Sequence, residues 1–120
     1  MNDILKKLRN RYPGKKAYDL DGRGMHYVCE IEPVEDHPEY DTAAEVIIRS
    51  KPHKHNKMTQ TYTVIHGELK LHCDEQVYVL KAGDVHTIQP GIVHWAEGDA
   101  NMLSILHSRP GWTQEDHITV

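Results

Sequence analysis

The sequence predicts an all-β domain, a sandwich or barrel of short strands with one helix at its N-terminus. Three observations carry that expectation. Segments rich in β-branched residues recur, separated by turn signals about 8–12 residues apart. Within several of them apolar and polar residues alternate, as on a half-buried sheet. Only the first segment has helical spacing, so the strand–helix alternation of a parallel α/β fold is missing. No solenoid-type repeat or low-complexity linker interrupts the chain.

The elements follow in order. Ile4, Leu5 and Leu8 share one face of Asn2 to Asn10, Asn2 or Asp3 can cap that helix, and Pro13-Gly14 ends it. Met25 to Ile31 sets Tyr27, Cys29 and Ile31 in alternation, and Ala43 to Arg49 is rich in β-branched residues. Thr59 to Ile65 reads Thr-Gln-Thr-Tyr-Thr-Val-Ile, a strong strand signal. Gly67-Glu68 turns into Leu69, Leu71 and Cys73, which alternate with Lys70 and His72. Asp74-Glu75 leads to a strand over Val77 to Leu80, and Ala82-Gly83-Asp84 to one over Val85 to Ile88, which Pro90-Gly91 breaks. Met102 to His107 is the last strand, before Arg109-Pro110-Gly111 and a polar tail. The expected organisation is one domain over residues 1–120: a helical segment 1–14, a β body 25–108 and a tail 109–120.

Composition narrows the function. With 38% hydrophobic and 27% charged residues the chain is globular. It holds no apolar run of the ~20 residues that a membrane helix needs, and no signal-peptide pattern, so the cytoplasm is the expected location. A net charge of −4 argues against nucleic acid. The two cysteines, Cys29 and Cys73, sit in strand-like segments and read as reduced core residues. Lys51, Lys54 and Lys57, and the acids from Glu30 to Asp41, read as solvated loops. Ten histidines without a single phenylalanine is the outlier, because histidine is the commonest metal-binding side chain.

Spacing gives those histidines meaning. His53 and His55 are two apart, so on extended backbone both point to one face and can reach one ion. Gln60 and Gly67 follow, and later Gly83-Asp84 opens a segment that ends in Pro90, Gly91 and His94. This arrangement resembles the two motifs of the cupin superfamily: His-x-His-x4-Glu-x6-Gly, then Gly-Asp followed by Pro-Gly-x-x-His. The resemblance spans roughly Pro52 to Trp95. Gln60 stands where the family usually has glutamate, Gln89 where a proline is common, Gly98 where an asparagine often follows, and Ile47 in the place of a glycine. The resemblance implies a double-stranded β-helix, the cupin or jelly-roll barrel, in which His53, His55, Gln60 and His94 hold one divalent transition ion. Three imidazoles suit zinc, nickel, manganese or iron, and an amide oxygen can complete such a site.

Glutamine in the ligand set has a consequence. An amide cancels none of the ion's charge, so the site favours anionic oxygens such as a carboxylate or an enediolate. Gln60 cannot serve as a base. Lewis-acid chemistry, with an isomerase or lyase outcome, is therefore better supported than oxygenase chemistry, while a non-catalytic ligand-binding domain stays open. The ligand set looks like that of small sugar-handling cupins, including those acting on unsaturated uronates, and the first motif is also similar to mannose-6-phosphate isomerase-like proteins. Relative to the uronate enzymes, Ile105 falls at the place of an acid and His107 at that of an aromatic residue.

His107, two residues after Ile105 and four after Leu103, is expected to face the interior as general acid or base. Tyr62 shares parity with Gln60 and is expected to line the cavity as a second catalytic candidate. His86 is undecided between interior and exterior. Trp95 and Trp112 are candidates for the pocket mouth, and Met58 for a cover over the ion. His26, His37, His66, His72 and His117 read as surface or strand-edge residues. The expected partners are a small oxygen-rich ligand, anionic in one reading, and a second copy of the chain in a homodimer.

Overall fold

The computed structural model describes residues 3–120. Helix α1 (Asp3–Arg11) leads to β1 (Lys16–Asp19), a 3-10 turn (Leu20–Gly22), β2 (His26–Glu32), β3 (Asp41–Ile47), β4 (His53–Lys54) and β5 (Thr59–His66). There follow β6 (Glu68–Cys73), β7 (Gln76–Lys81), β8 (Val85–Ile88), β9 (His94–Glu97), β10 (Leu103–Arg109) and β11 (Ile118–Thr119). Asn2, one of the two candidate caps, lies outside the described residues. Asp3 puts its charge in the first helical turn, where the helix dipole favours it.

Two antiparallel sheets form the body. One has six strands in the order β1-β2-β3-β10-β5-β8, the other five in the order β11-β4-β9-β6-β7. From β3 onward every connection crosses between sheets except the β6–β7 hairpin, which is the winding of a double-stranded β-helix. The sheet begins earlier than residue 25. β1 pairs with β2 in the register Ala17↔Cys29 and Tyr18↔Val28, and its alternation is faint because only Ala17 is buried. The tail is not merely polar coil either, since β11 pairs with β4.

Two apolar clusters hold the elements in place. Ile47, Val64, Leu69, Leu71, Ala96 and Met102 fill the space between the sheets. Leu8, Cys29, Ala44, Val46 and Leu103 pack outside the six-stranded sheet, with Ile4, Leu5 and Ile105 against them. Helix α1 thus covers the sheet's outer face, and burying Leu8 there stabilises the fold by about 1.5–3 kcal/mol. Both cysteines are buried and free.

Two glycines are required by close approach. A Cβ on Gly67, at φ +80°, would lie 2.7 Å from Met102 Cα. One on Gly98 would lie 2.8 Å from the carbonyl oxygen of Ile47, so the small residue at 98 leaves room for the chain at 47.

The inner face changes character along its length. On β5 the inward side chains run from Val64 through Tyr62 to Gln60, and on β10 from Ser104 through Leu106 to Ser108. Apolar packing thus closes one end of the barrel and polar groups line the other. This register corrects the expectation for His107. Leu103 and Ile105 belong to the outer cluster under α1, and His107 shares their face, where its Nδ1 lies 3.1 Å from Thr42 Oγ1 and its ring 5.3 Å from that of Tyr40. A period of two identifies a face without saying which side it is. Here the helix makes the outer face as apolar as the inner one.

Candidate metal centre and ligand cavity

The open end holds a cavity of about 510 Å³ lined by both sheets and by the tail. Histidines crowd one wall. β4 supplies His53, whose backbone pairs with His94 at the start of β9. The ring centroids of His53 and His94 are 4.3 Å apart, those of His53 and His55 5.0 Å, and those of His55 and His94 5.7 Å. The two motifs are also joined through the backbone, since Gly91 N–H donates to His55 O at 2.6 Å. Gln60 reaches the group from β5, its Oε1 3.1 Å from His94 Nε2 and its Nε2 donating to Ser108 Oγ at 3.2 Å.

The orientation of the rings matters more than their number. His53 Nδ1 contacts Lys51 O at 2.8 Å, His55 Nδ1 contacts Asp116 O at 2.8 Å, and His94 Nδ1 contacts Ile92 O at 3.0 Å. A carbonyl only accepts, so His53 and His55 carry the proton on Nδ1 and keep the Nε2 lone pair, the tautomer that binds metal. His94 instead faces an acceptor at each ring nitrogen, Ile92 O and Gln60 Oε1. Burial drives His53 down to about 3 and His94 down to about 4, with neighbouring imidazoles adding to the shift in both. His55 and His117 are lowered as well, again by burial first. All four rings are therefore neutral at pH 7 and able to ligate.

Two observations test the fit to a cation. His55 Nε2 is buried and has no hydrogen-bond partner, which is costly for a group that water would otherwise solvate. His94 Nε2 and Gln60 Oε1 lie 3.1 Å apart, a hydrogen bond when Nε2 carries the proton and, when it does not, close to the ~3 Å between adjacent ligands of an ion bonded at ~2.1 Å. Neutral imidazoles and an amide oxygen fit a divalent transition ion.

His117, read from the sequence as a surface residue, is part of this wall. Its ring stacks on that of His53 at 4.7 Å and 23°, and the ligating atoms of His53, His55 and His117 all lie within 4.8 Å of one another. Seven residues of irregular tail, 110–116, separate it from β10, so sequence spacing carried no signal.

The facing wall is acidic. Glu30 on β2 and Asp41 and Glu45 on β3 line the cavity, which corrects the reading of the run from Glu30 to Asp41 as a solvated loop at both of its ends. Burial raises Asp41, against the lowering effect of the Trp112 N–H that its carboxylate accepts at 2.7 Å. Tyr18 also lines this wall and is pushed up to about 12 by burial and by Glu30. His26, another residue read as surface, contacts Glu45 Oε1 through Nε2 at 3.0 Å. Burial lowers its pKa, but the charge and hydrogen bond of Glu45 together outweigh burial and raise it. The signal for this wall was present. If Tyr27, Cys29 and Ile31 form one face of β2, then His26, Val28 and Glu30 form the other, and that face proves to be the cavity.

The remaining candidates separate cleanly. Tyr62 lines the cavity and is 3% exposed. Trp112 borders the cavity, whereas Trp95 stacks on His72 at 3.8 Å with Arg49 over its ring and contributes nothing to the lining. The ring of His86 lies tilted against that of Tyr78 at 4.2 Å, where β7 and β8 lie at the sheet edges, away from the histidine wall. Met58 is 1% exposed and does not line the cavity.

No curated protein sequence matches the chain. Solved structures do match its fold. Pac13 from Streptomyces, described as a nucleoside dehydratase and also solved with uridine, superposes with a TM-score of 0.77 at 15% identity over 91% of this chain and 87% of that one. An RmlC-like cupin from Shewanella frigidimarina gives 0.70 at 21% identity over 86% and 88% of the two chains. KdgF from a Halomonas species gives 0.69 at 16% identity over 84% and 91%. The cupin domain family model matches residues 45–106, just over half of the chain and the stretch that contains both histidine motifs, so the chain belongs to the cupin domain family.

Proposed function

We propose that this chain is a metal-dependent cupin enzyme acting on a small oxygen-rich molecule, a sugar, uronate or related carbonyl or carboxylate compound, by isomerase- or lyase-type chemistry. The observation that carries the reading is the partnerless, buried Nε2 of His55, set among other neutral imidazoles on the wall of a cavity of about 510 Å³. A divalent ion bound there supplies Lewis acidity toward a carbonyl or carboxylate oxygen. His53, His55, Gln60 and His94 would hold it.

The other side chains position the ligand and move protons. Glu30 and Asp41 accept hydrogen bonds from hydroxyl groups, which suits a molecule with an oxygen donor at one end and a polyol body. The phenol of Tyr62, raised well above 10 by burial, stays protonated and donates. His26 takes over the acid–base role first expected of His107. Its ring removes a proton from the carbon beside the carbonyl, and Glu45 stabilises the imidazolium formed. In an isomerisation the proton returns to the former carbonyl carbon while the hydroxyl proton passes from its own oxygen to the former carbonyl oxygen; in an elimination it goes to the departing hydroxyl, which leaves as water. The dehydratase described on this fold in Streptomyces is in keeping with the second outcome.

The test uses protein purified without an affinity tag. Elemental analysis comes first. Proton NMR in D2O then follows keto sugars and unsaturated uronates with loaded and chelated protein. A single ion per chain and metal-dependent deuterium uptake or conversion is the expected result. Protein that takes up no transition ion, or loaded protein that consumes oxygen without proton exchange, overturns the reading.

A further inference from the structure

We propose that His117 is an additional imidazole ligand of the ion and that metal binding thereby latches the C-terminal segment over the cavity. The inference rests on the metal reading above and goes beyond the two sequence motifs, neither of which contains this histidine.

The segment between Arg109 and Ile118 has no helix or strand. Trp112 and Gln114 nonetheless form part of the cavity wall, so the segment acts as a cover. Its far end is wired to the histidine wall at three consecutive points. Asp116 accepts the backbone N–H groups of Asn56, Lys57 and Met58 at 2.8, 3.0 and 3.0 Å, fixing the turn that follows His55. The carbonyl of the same residue accepts the Nδ1 proton of His55 at 2.8 Å and so sets the direction of that ring. His117 comes next, stacked on His53 and edge-on to His55 at 5.5 Å. β11 then pairs Thr119 with His53.

That pairing is the reason to expect coupling. A strand of two residues contributes little by itself. Gly111 N–H to Pro38 O and Trp112 N–H to Asp41 anchor the near end of the cover, so at its far end the ordering entropy is offset at Asp116 and His117 beside β11 and the Val120 N–H to Pro52 O bond. A ligand bond from the tail would contribute binding free energy only when the tail is folded, so ion and cover stabilise each other.

Hydrogen exchange of segment 110–120 measured with and without Zn2+ tests the coupling, alongside competition titrations of Zn2+ affinity. The wild-type tail is expected to exchange at least about tenfold more slowly when loaded, since a tenfold change corresponds to only ~1.4 kcal/mol. His117→Ala is expected to keep Zn2+ through the motif residues with an affinity lowered about 10- to 100-fold, and to lose metal-dependent protection of the tail while the barrel strands stay protected. A second variant removes any doubt from misfolding: His117→Cys loaded with Co2+ should gain a thiolate-to-cobalt charge-transfer band. Wild-type protein that binds no Zn2+ overturns the metal reading and this proposal with it. Wild-type protein that binds Zn2+ with equal tail exchange in both states, unaltered affinity in His117→Ala, or a His117→Cys protein without the band overturns the latch alone.

Discussion

The two faces of the six-stranded sheet have similar alternation and opposite duties. The outer face of β10 carries Leu103, Ile105 and His107, and α1 lies over Leu103 and Ile105. The inner face carries Ser104, Leu106 and Ser108, and at Ser108 it meets Gln60 of the histidine wall. Judged by hydropathy alone, the outer face looks like the interior. In a barrel with a cavity the polar side of a strand can be the functional inside, while a packed helix buries the apolar side. His107 and His26 exchange their expected places for this one reason.

The largest effects should separate inner from outer histidines. His94→Ala should abolish stable metal binding and all metal-dependent turnover, as read by elemental analysis and the NMR exchange assay. His26→Gln, which keeps an N–H for Glu45, should retain the ion and lose about 100-fold or more in turnover, the scale of a missing general acid–base group. His107→Ala on the outer face should leave metal content unchanged and turnover within about threefold, far below that scale. A His107 variant that loses turnover as severely as the His26 variant would break the comparison between faces.

The pH dependence of metal-free stability comes next in size. The pKa of an unfolded histidine is ~6.5. Folded His53 and His94 are held down at about 3 and about 4, so below ~6.5 the unfolded chain takes up protons that they refuse. Their contribution is complete above ~6.5 and is lost as the pH falls toward 4 and 3. His26 has the opposite sign. Its raised pKa gives a contribution complete below ~6.5 that fades as the pH rises through the folded value. Urea midpoints of chelated protein should therefore fall between pH 7 and pH 5, since two buried histidines of the first kind, His53 and His94, have large shifts. A midpoint that does not fall would mean that the rings are solvated and the wall is not preformed.

The outer face can be probed without touching the cavity. Leu8 is 2% exposed under the sheet, so Leu8→Ala should lower stability by about 2–4 kcal/mol. Zn2+ affinity should not change, because the outer cluster shares no residue with the histidine wall. Weakened metal binding in that variant would show that helix packing and site geometry are coupled through the sheet.

Much of this was legible in the sequence for a physical reason. Strand periodicity and turn residues are local, so most strands, the hairpin and the helix could be read directly. His53 and His55 could be paired from spacing alone, because residues two apart on extended backbone share a face. Gln60 and His94 joined them only through the resemblance to the cupin motifs, since it is a distant strand pairing, His53↔His94, that brings the two motifs together. What escaped was set by distant pairing. β1 shows one buried alanine and β11 has two residues, too little for any periodic signal. His117 reaches the wall only because β11 pairs with β4, and Glu45 could not be matched to His26 before the β2–β3 register was known.

The smallest predicted effect concerns charge within the ligand set itself. Gln60→Glu keeps the side-chain length and the ligating oxygen while adding a negative charge beside His94. The buried carboxylate gains Ser108 Oγ as a hydroxyl donor, at the 3.2 Å now spanned by the amide, so the variant should fold. The ion should bind at least as tightly, because a carboxylate is the stronger ligand for a cation. An anionic ligand should suffer, since the new charge offsets part of the field that held it. Two unit charges ~4 Å apart interact by about 4 kcal/mol at an effective dielectric of ~20, and the open cavity screens this further, so about a tenfold loss is expected. A neutral sugar of the same size should lose much less. Paired titrations of a uronate and its neutral counterpart on wild-type and Gln60→Glu protein, both confirmed as metal-loaded, measure the difference. Glu30, Asp41 and Glu45 on the facing wall make the outcome informative, because they already disfavour an anion everywhere except at the ion. If the glutamate form binds the uronate as well as the wild type does, ligand choice is set by that acidic wall and its hydroxyl partners rather than by the neutral ligands of the metal.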